Sequence, residues 1–105
     1  MFANYHNHSG LLSLGRKEYD EAISEYSKAI GEEPDFSEAY FNRGYAYYLD
    51  GEYDKAISDL NMLIRSDPNF ALFYLLRREV YLKQGNNAQA QADFDRAKQL
   101  GYIPQ

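Results

Sequence analysis

Apolar side chains recur along this chain at intervals of three and four residues, in segments separated by glycine and proline. Between residues 19 and 32 the apolar positions fall on one stripe of a helix: Ala22, Ile23, Tyr26, Ala29 and Ile30. Proline disfavours helical dihedrals in the residue before it, and glycine closes helices in the left-handed conformation. The pattern predicts an all-α protein of about six helices, near residues 3–14, 19–32, 35–49, 52–65, 70–83 and 87–100.

Two of the predicted helices begin with residues at capping-box spacing. Asp35 precedes Glu38, and Asn86 precedes Gln89, by three positions each. In such a pair the first side chain accepts a hydrogen bond from a free backbone N–H group and the second reaches back. We therefore expect both pairs to cap their helices.

The apolar pattern repeats every 34 residues. Ala22, Ala56 and Ala90 keep this interval, and so do Phe2/Phe36/Phe70, Gly10/Gly44, Tyr19/Tyr53, Ile23/Ile57, Pro34/Pro68, Tyr40/Tyr74, Tyr47/Tyr81, Gly51/Gly85 and Asp59/Asp93. A fixed interval kept through so many positions indicates an internal repeat. The spacing predicts three units, at residues 3–36, 37–70 and 71–104.

The middle unit carries the residues of a known repeat family: Tyr40, Gly44, Tyr47, Gly51, Tyr53, Ala56, Leu60 and Pro68. In these positions it resembles the tetratricopeptide repeat, with Arg43 and Leu63 as departures from the usual Leu and Ala. The resemblance implies three helix-turn-helix units stacked in an αα-superhelix, or α-solenoid. The first unit is the most divergent, and its polar first helix predicts fraying.

The last helix differs from its equivalents at two positions. Ile23 and Ile57 become Gln91, and Ile30 and Ile64 become Lys98. In the first two units these positions are expected to contact the following unit. Polar replacements there are typical of a capping repeat that ends an array.

Composition excludes several classes of function. The formal net charge of −5 disfavours nucleic acid and anionic membranes, and the absence of Cys removes disulfides and thiolate metal sites. No apolar run is long enough to cross a bilayer, so we expect a cytoplasmic protein. His6 and His8 lie two residues apart, on different faces of a helix, so no metal site is predicted. We find no catalytic constellation or cofactor motif, which indicates a protein that is not an enzyme.

The resemblance implies function through the inner face of the superhelix, where this family binds extended or helical peptides. Helical geometry predicts the partner-binding residues on that face: Phe41, Asn42, Tyr45, Tyr48, Leu49, Leu72, Leu75, Glu79 and Leu82. So many exposed apolar side chains favour a binding surface for a protein or peptide. We therefore expect a protein–protein interaction module. Self-association through the same face, which would make the chain a homo-oligomer, and ordinary packing are the alternatives.

Three residues are candidates for orienting a ligand. Asn42 is expected to bind a ligand backbone, while Arg43 and Arg77 either pair with acidic side chains of the neighbouring unit or contact an acidic ligand group. Some members of the family hold chaperone C-terminal carboxylates with two Lys, two Asn and one Arg. Of those positions only Asn42 matches, since the others hold Asn7, Leu11, Leu72 and Leu76. Binding of chaperone peptides by this clamp is therefore disfavoured.

Overall fold

The part of the chain that the structure describes folds into six α-helices, which confirms the all-α prediction. The computed structural model describes residues 2–105, and its helices are α1 (Phe2–Gly15), α2 (Tyr19–Glu32), α3 (Ser37–Leu49), α4 (Tyr53–Ser66), α5 (Ala71–Gln84) and α6 (Asn87–Gln99). Helix α1 is continuous over the segment for which fraying is predicted. Within the described residues no helix is both long and apolar enough to cross a membrane.

The helices form three hairpins that stack in chain order. Helices α1 and α2, α3 and α4, and α5 and α6 pack against each other within hairpins. Consecutive hairpins meet through α2 against α3 and α4 against α5, and the first helices of adjacent hairpins also touch. The result is a helical-repeat stack of 37 × 24 × 24 Å.

The turn inside each hairpin needs one residue in the left-handed conformation. Gly51 has φ 79° and Gly85 has φ 78°, as expected for glycines that close a helix. The equivalent residue of the first hairpin is Lys17, which has φ 62° and is the one non-glycine with positive φ among residues 2–105. The three turns therefore share a backbone conformation although only two have glycine.

The two predicted capping boxes are wrong. Helix α3 begins after Phe36 and helix α6 after Asn86, and neither N-terminal cap residue makes a side-chain capping hydrogen bond. Phe36 packs instead against the buried cluster of Ala3, Ala29 and Ala39, so packing determines where the chain enters α3. The Asn86 side chain donates to Gln84 Oε1 at 3.4 Å.

The hydrophobic core is thickest between the second and third hairpins. Its buried side chains there come from α4 and α5: Ala56, Leu60, Leu63, Phe73, Leu76 and Val80. Between the first and second hairpins the core consists of two smaller clusters, rich in alanine, that bring α2 and α3 close together. The stack is thus held by unequal interfaces.

Helix α1 is attached to α2 by close packing and by one histidine. A Cβ atom added to Gly10 would lie 2.6 Å from Cδ1 of the buried Tyr26 and still closer to Cε1, so glycine is required there. His6 Nδ1 lies 2.8 Å from Glu25 Oε2, and its Nε2 lies 3.2 Å from Glu32 Oε1. The hydrogen bond with His6 is the main reason that the pKa of Glu25 is lowered.

Candidate functional site

An open apolar pocket lies between α3 and α5, the first helices of the second and third hairpins. Its volume is about 370 Å³, and its lining residues are Phe41, Tyr45, Leu72, Leu75, Leu76, Arg78, Glu79 and Tyr102. A smaller pocket of about 240 Å³ is lined by Ser37, Glu38, Phe41, Phe70 and Phe73. Because Phe41 lines both, the two pockets form one surface, which we call the α3–α5 groove.

Five of the nine predicted partner-binding residues line the larger pocket. They are Phe41, Tyr45, Leu72, Leu75 and Glu79. Tyr45 is 40% exposed and Leu72 is 46% exposed, while Phe41 is half-buried with its ring centroid 6.0 Å from that of Phe73. The groove therefore combines exposed walls with a partly buried aromatic floor.

The other four predicted residues lie outside that pocket. Tyr48 is half-buried between the rings of Tyr45 and Tyr53, each 6.2 Å away. Leu49 is 38% exposed and Leu82 is 43% exposed, and neither lines either pocket of the groove. Asn42 Nδ2 donates to Oδ1 of the buried Asn7 at 3.0 Å, which joins α3 to α1. The structure thus brings together only part of the predicted set.

The two arginines with a predicted orienting role are held in ion pairs. Arg43 donates from Nε and Nη2 to Asp59 at 2.8 and 2.7 Å, and Arg77 donates likewise to Asp93 at 2.9 and 2.7 Å. Both acidic partners belong to the arginine's own unit, so the prediction of an acidic partner in the neighbouring unit is wrong. Arg77 also donates from Nη1 to Asn61 Oδ1 of the preceding hairpin at 2.9 Å. Its hydrogen bond to the neighbouring hairpin therefore has a neutral acceptor.

These ion pairs perturb the arginines in the expected direction. Hydrogen bonds with Asp59 and with Asp93 raise the pKa of Arg43 and of Arg77 respectively, against the opposing effect of burial. The Arg43 guanidinium also lies 5.5 Å from the ring centroid of Tyr40 and 5.7 Å from that of Tyr47. Each guanidinium is therefore engaged by groups of its own chain.

Comparison with known proteins decides the family. The family profile described as tetratricopeptide repeat matches residues 9–69, which is more than half of the chain. This chain belongs to the tetratricopeptide repeat family. The predicted membership of this family is confirmed. A comparison with curated proteins gave no match.

Several solved structures share the fold over nearly the whole chain. The first TPR of Spaghetti (RPAP3) bound to the HSP90 peptide SRMEEVD is 24% identical with a TM-score of 0.88, covering 94% of this chain and 79% of that one. The TPR2B domain of yeast Sti1 in complex with pHsp70 is 25% identical with a TM-score of 0.89, covering 95% and 80%. MamA is 26% identical with a TM-score of 0.88, covering 93% and 57%. Some of these similar structures are thus peptide complexes.

In this tetratricopeptide repeat protein, three residues of the larger pocket lie outside the predicted partner-binding set, namely Leu76, Arg78 and Tyr102. Leu76, which stands at one of the clamp positions, is buried in the core and also lines the pocket. Arg78 occupies the repeat position of Gly10 and Gly44, and this departure from the pattern is a signal that could have identified it. Its guanidinium lies 4.3 Å from the Phe94 ring centroid, and its Nη1 lies 3.7 Å from Glu79 Oε1.

Tyr102, the third pocket residue outside the predicted set, follows the last helix. Gly101 has φ 104° and turns the chain back, so that the Tyr102 N–H donates to Ala97 O at 3.0 Å. The Tyr102 ring packs edge-on against Phe94 with centroids 6.1 Å apart. Tyr102 thereby reaches the lining of the larger pocket, whereas Ile103 is 78% exposed.

Proposed function

We propose that this protein is a non-catalytic interaction module that binds a peptide or helical segment of a partner protein in the α3–α5 groove. The observation that carries the proposal is the pocket of about 370 Å³ between α3 and α5, which is lined by Phe41, Tyr45, Leu72 and Leu75. Exposed aromatic and leucine side chains grouped in a concavity are typical of binding sites, because their burial by a ligand is favourable.

The charges around the groove define the chemistry of the ligand. Arg78 and Glu79 both line the larger pocket and lie close enough to offset each other, whereas Glu38 lines the smaller pocket and is exposed. A ligand with one or two large apolar side chains and a basic flank toward Glu38 fits this arrangement. Tyr45 and Tyr102 offer hydroxyl groups for ligand polar atoms, at low ordering cost.

A ligand that ends in paired carboxylates fits poorly. The positions that hold cations in clamp-type tetratricopeptide repeats are here Asn7, Leu72 and Leu76, of which Asn7 and Leu76 are buried. The amide of Asn42 is already hydrogen-bonded to Asn7. Buried carboxylates without a cation are costly, so we expect no tight binding of the HSP90-type peptide SRMEEVD.

The test uses a phage-displayed peptide library selected on the full chain and counter-selected on Tyr45→Ala/Leu75→Ala. Selected peptides are synthesised and their affinities measured by isothermal titration calorimetry. We expect apolar anchor residues in the selected peptides and a loss of at least about tenfold in affinity in the groove variant, which corresponds to about 1.4 kcal/mol. The peptide SRMEEVD serves as the negative probe.

Met62→Ala is the matched control, because Met62 is an exposed apolar residue of α4 outside the groove, at 39% exposure. It should bind the selected peptides as tightly as the wild type does. Equal affinity of the groove variant and the control would contradict the proposal. If the groove variant loses helicity in circular dichroism, Tyr45 and Leu75 are core residues and the site assignment fails. A mass in light scattering that falls only in the groove variant would favour self-association through the groove.

A further inference from the structure

The two ends of the repeat stack have opposite chemistry. At the C-terminal end, the positions equivalent to Ile57 and Ile64 are Gln91 and Lys98, both exposed. At the N-terminal end, helix α1 presents Phe2, Tyr5 and Leu12 to solvent, with 62%, 65% and 53% of each residue exposed. The stack is therefore polar at one end and apolar at the other.

The equivalent positions in the second and third hairpins show which kind of element covers this face of a first helix. Tyr5 is equivalent to Ala39 and Phe73, and Leu12 is equivalent to Ala46 and Val80. All four equivalents are buried, with exposures of 0% for Ala39, Ala46 and Val80 and 7% for Phe73. Each lies where a first helix packs on the second helix of the preceding hairpin. Tyr5 and Leu12 thus occupy positions that are covered in the other two hairpins, but within residues 2–105 they are exposed.

The side chains of α1 also indicate which kind of helix fits. An aromatic at position 5 and an aliphatic at position 12 match Phe73 and Val80 rather than the two alanines of α3. Phe73 and Val80 share a buried cluster with Leu60, and Ile57 and Ile64 pack against that cluster. The matching surface is therefore an amphipathic helix with apolar residues at i, i+3 and i+7, as in α4.

Within residues 2–105, no second helix remains to serve as that surface. Helices α2 and α4 are already covered by α3 and α5, and α6 carries Gln91 and Lys98 at the stacking positions. A second copy stacked head to tail would bury the Lys98 ammonium against Tyr5 or Leu12, which is unfavourable. We infer that the exposed face of α1 is a second docking surface, which takes an α4-like amphipathic helix of a partner protein.

The first test uses a labelled α4 peptide, residues 53–66, with a hydrocarbon staple replacing the exposed Ser58 and Met62. The full chain is titrated against it and fluorescence anisotropy is recorded. Saturable binding is expected in the wild type, with a loss of at least about tenfold in Tyr5→Glu/Leu12→Glu. The control Ser24→Glu/Gln99→Glu adds the same charge at exposed positions elsewhere, and it should bind normally. The groove variant Tyr45→Ala/Leu75→Ala should bind normally too.

A second measurement does not depend on the affinity of a lone helix. Residues 37–70 are fused before residue 3, which keeps the 34-residue register and places an α4 sequence over α1. Urea denaturation should show a higher midpoint than in the unfused chain, and Tyr5→Glu/Leu12→Glu should remove the increase. The inference is overturned if neither peptide binding nor the midpoint depends on Tyr5 and Leu12. It is also overturned if the unfused wild type forms dimers that this variant dissociates, because the occupant is then a second copy.

Discussion

Arg43 and Asp59 form a two-pronged ion pair across the second hairpin, with Nε 2.8 Å from Oδ2 and Nη2 2.7 Å from Oδ1. The side chain of Asp59 is 6% exposed and that of Arg43 is 19% exposed, so water screens the pair little. A third bond, from Arg43 Nη1 to Ser27 Oγ at 3.2 Å, reaches back to the first hairpin. The Arg43 side chain thus joins α3 to α4 within the second hairpin and also links this hairpin to α2 of the first.

We predict that Asp59→Ala lowers the free energy of unfolding by about 3–5 kcal/mol, since it leaves the largely buried guanidinium of Arg43 without its anion. The double variant Arg43→Leu/Asp59→Ala should lose much less than the sum of the two single variants, because it removes the unpaired charge and places the family's usual residue at position 43. Urea denaturation of the four proteins measures the coupling. Additive losses would show that the pair contributes no specific interaction.

A second prediction separates two glycines at equivalent positions. Gly10→Ala forces a methyl group into the Tyr26 ring and should lower the free energy of unfolding by about 1–3 kcal/mol. At Gly44 the nearest atom to an added Cβ is Asp59 Cβ at 3.5 Å, an ordinary contact. Gly44→Ala should therefore stabilise the protein by about 0.5–1 kcal/mol, since glycine is unfavourable inside a helix. Thermal unfolding followed by circular dichroism checks both signs.

The third prediction concerns the buried hydroxyl of Tyr26. Within residues 2–105 this hydroxyl has no hydrogen-bond partner, and Tyr26→Phe should raise the free energy of unfolding by about 1 kcal/mol. Burial, with the negative charge of Glu38 as a smaller cause, raises the pKa of Tyr26 from 10.0 to about 12. Because the pKa of Tyr26 is higher in the folded state than in the unfolded state, the protonated hydroxyl favours folding relative to the ionised one. This contribution to the free energy of unfolding is complete below pH 10 and is lost as the pH rises from 10 to about 12.

Alkaline unfolding measures that linkage. The wild type should lose stability more steeply than Tyr26→Phe as the pH rises through this interval, and the variant should unfold at a higher pH. Tyr5→Phe is the matched control, because Tyr5 is 65% exposed and its hydroxyl is hydrated in both states. Identical alkaline unfolding of Tyr26→Phe and the wild type would contradict the assignment of a raised pKa to Tyr26.

The repeat spacing predicted the helices and the core because these depend on local periodicity. Gly51 and Gly85 end helices where expected, and Ala22, Ala56 and Ala90 are buried as close-contact positions. The ion pairs were not assigned, although Arg43/Arg77 and Asp59/Asp93 both keep the 34-residue interval. Arg43 and Asp59 lie on different helices, so only the joint repetition of the two types indicates their contact.

Features that depend on the path of the chain between helices were less predictable. The capping boxes failed because the packing of Phe36 on an alanine cluster determines how α3 starts. Tyr102 entered the groove through the turn at Gly101, whose φ of 104° the apolar pattern does not specify. Phe41 and Tyr48 became half-buried because neighbouring helices cover part of the predicted binding face. Fewer of the predicted binding residues are therefore exposed than the sequence alone indicated.

The last prediction follows from the polar C-terminal end of the stack. Gln91→Ile/Lys98→Ile gives α6 the aliphatic residues that Ile57 and Ile64 place on α4, so α6 should then fit the exposed Tyr5 and Leu12 of another copy. Such a head-to-tail contact does not close, and it should produce open chains whose mass in light scattering rises with concentration. Adding Tyr5→Glu/Leu12→Glu should restore the mass of the unmodified protein. An unchanged mass for Gln91→Ile/Lys98→Ile at all concentrations would show that Gln91 and Lys98 do not prevent stacking.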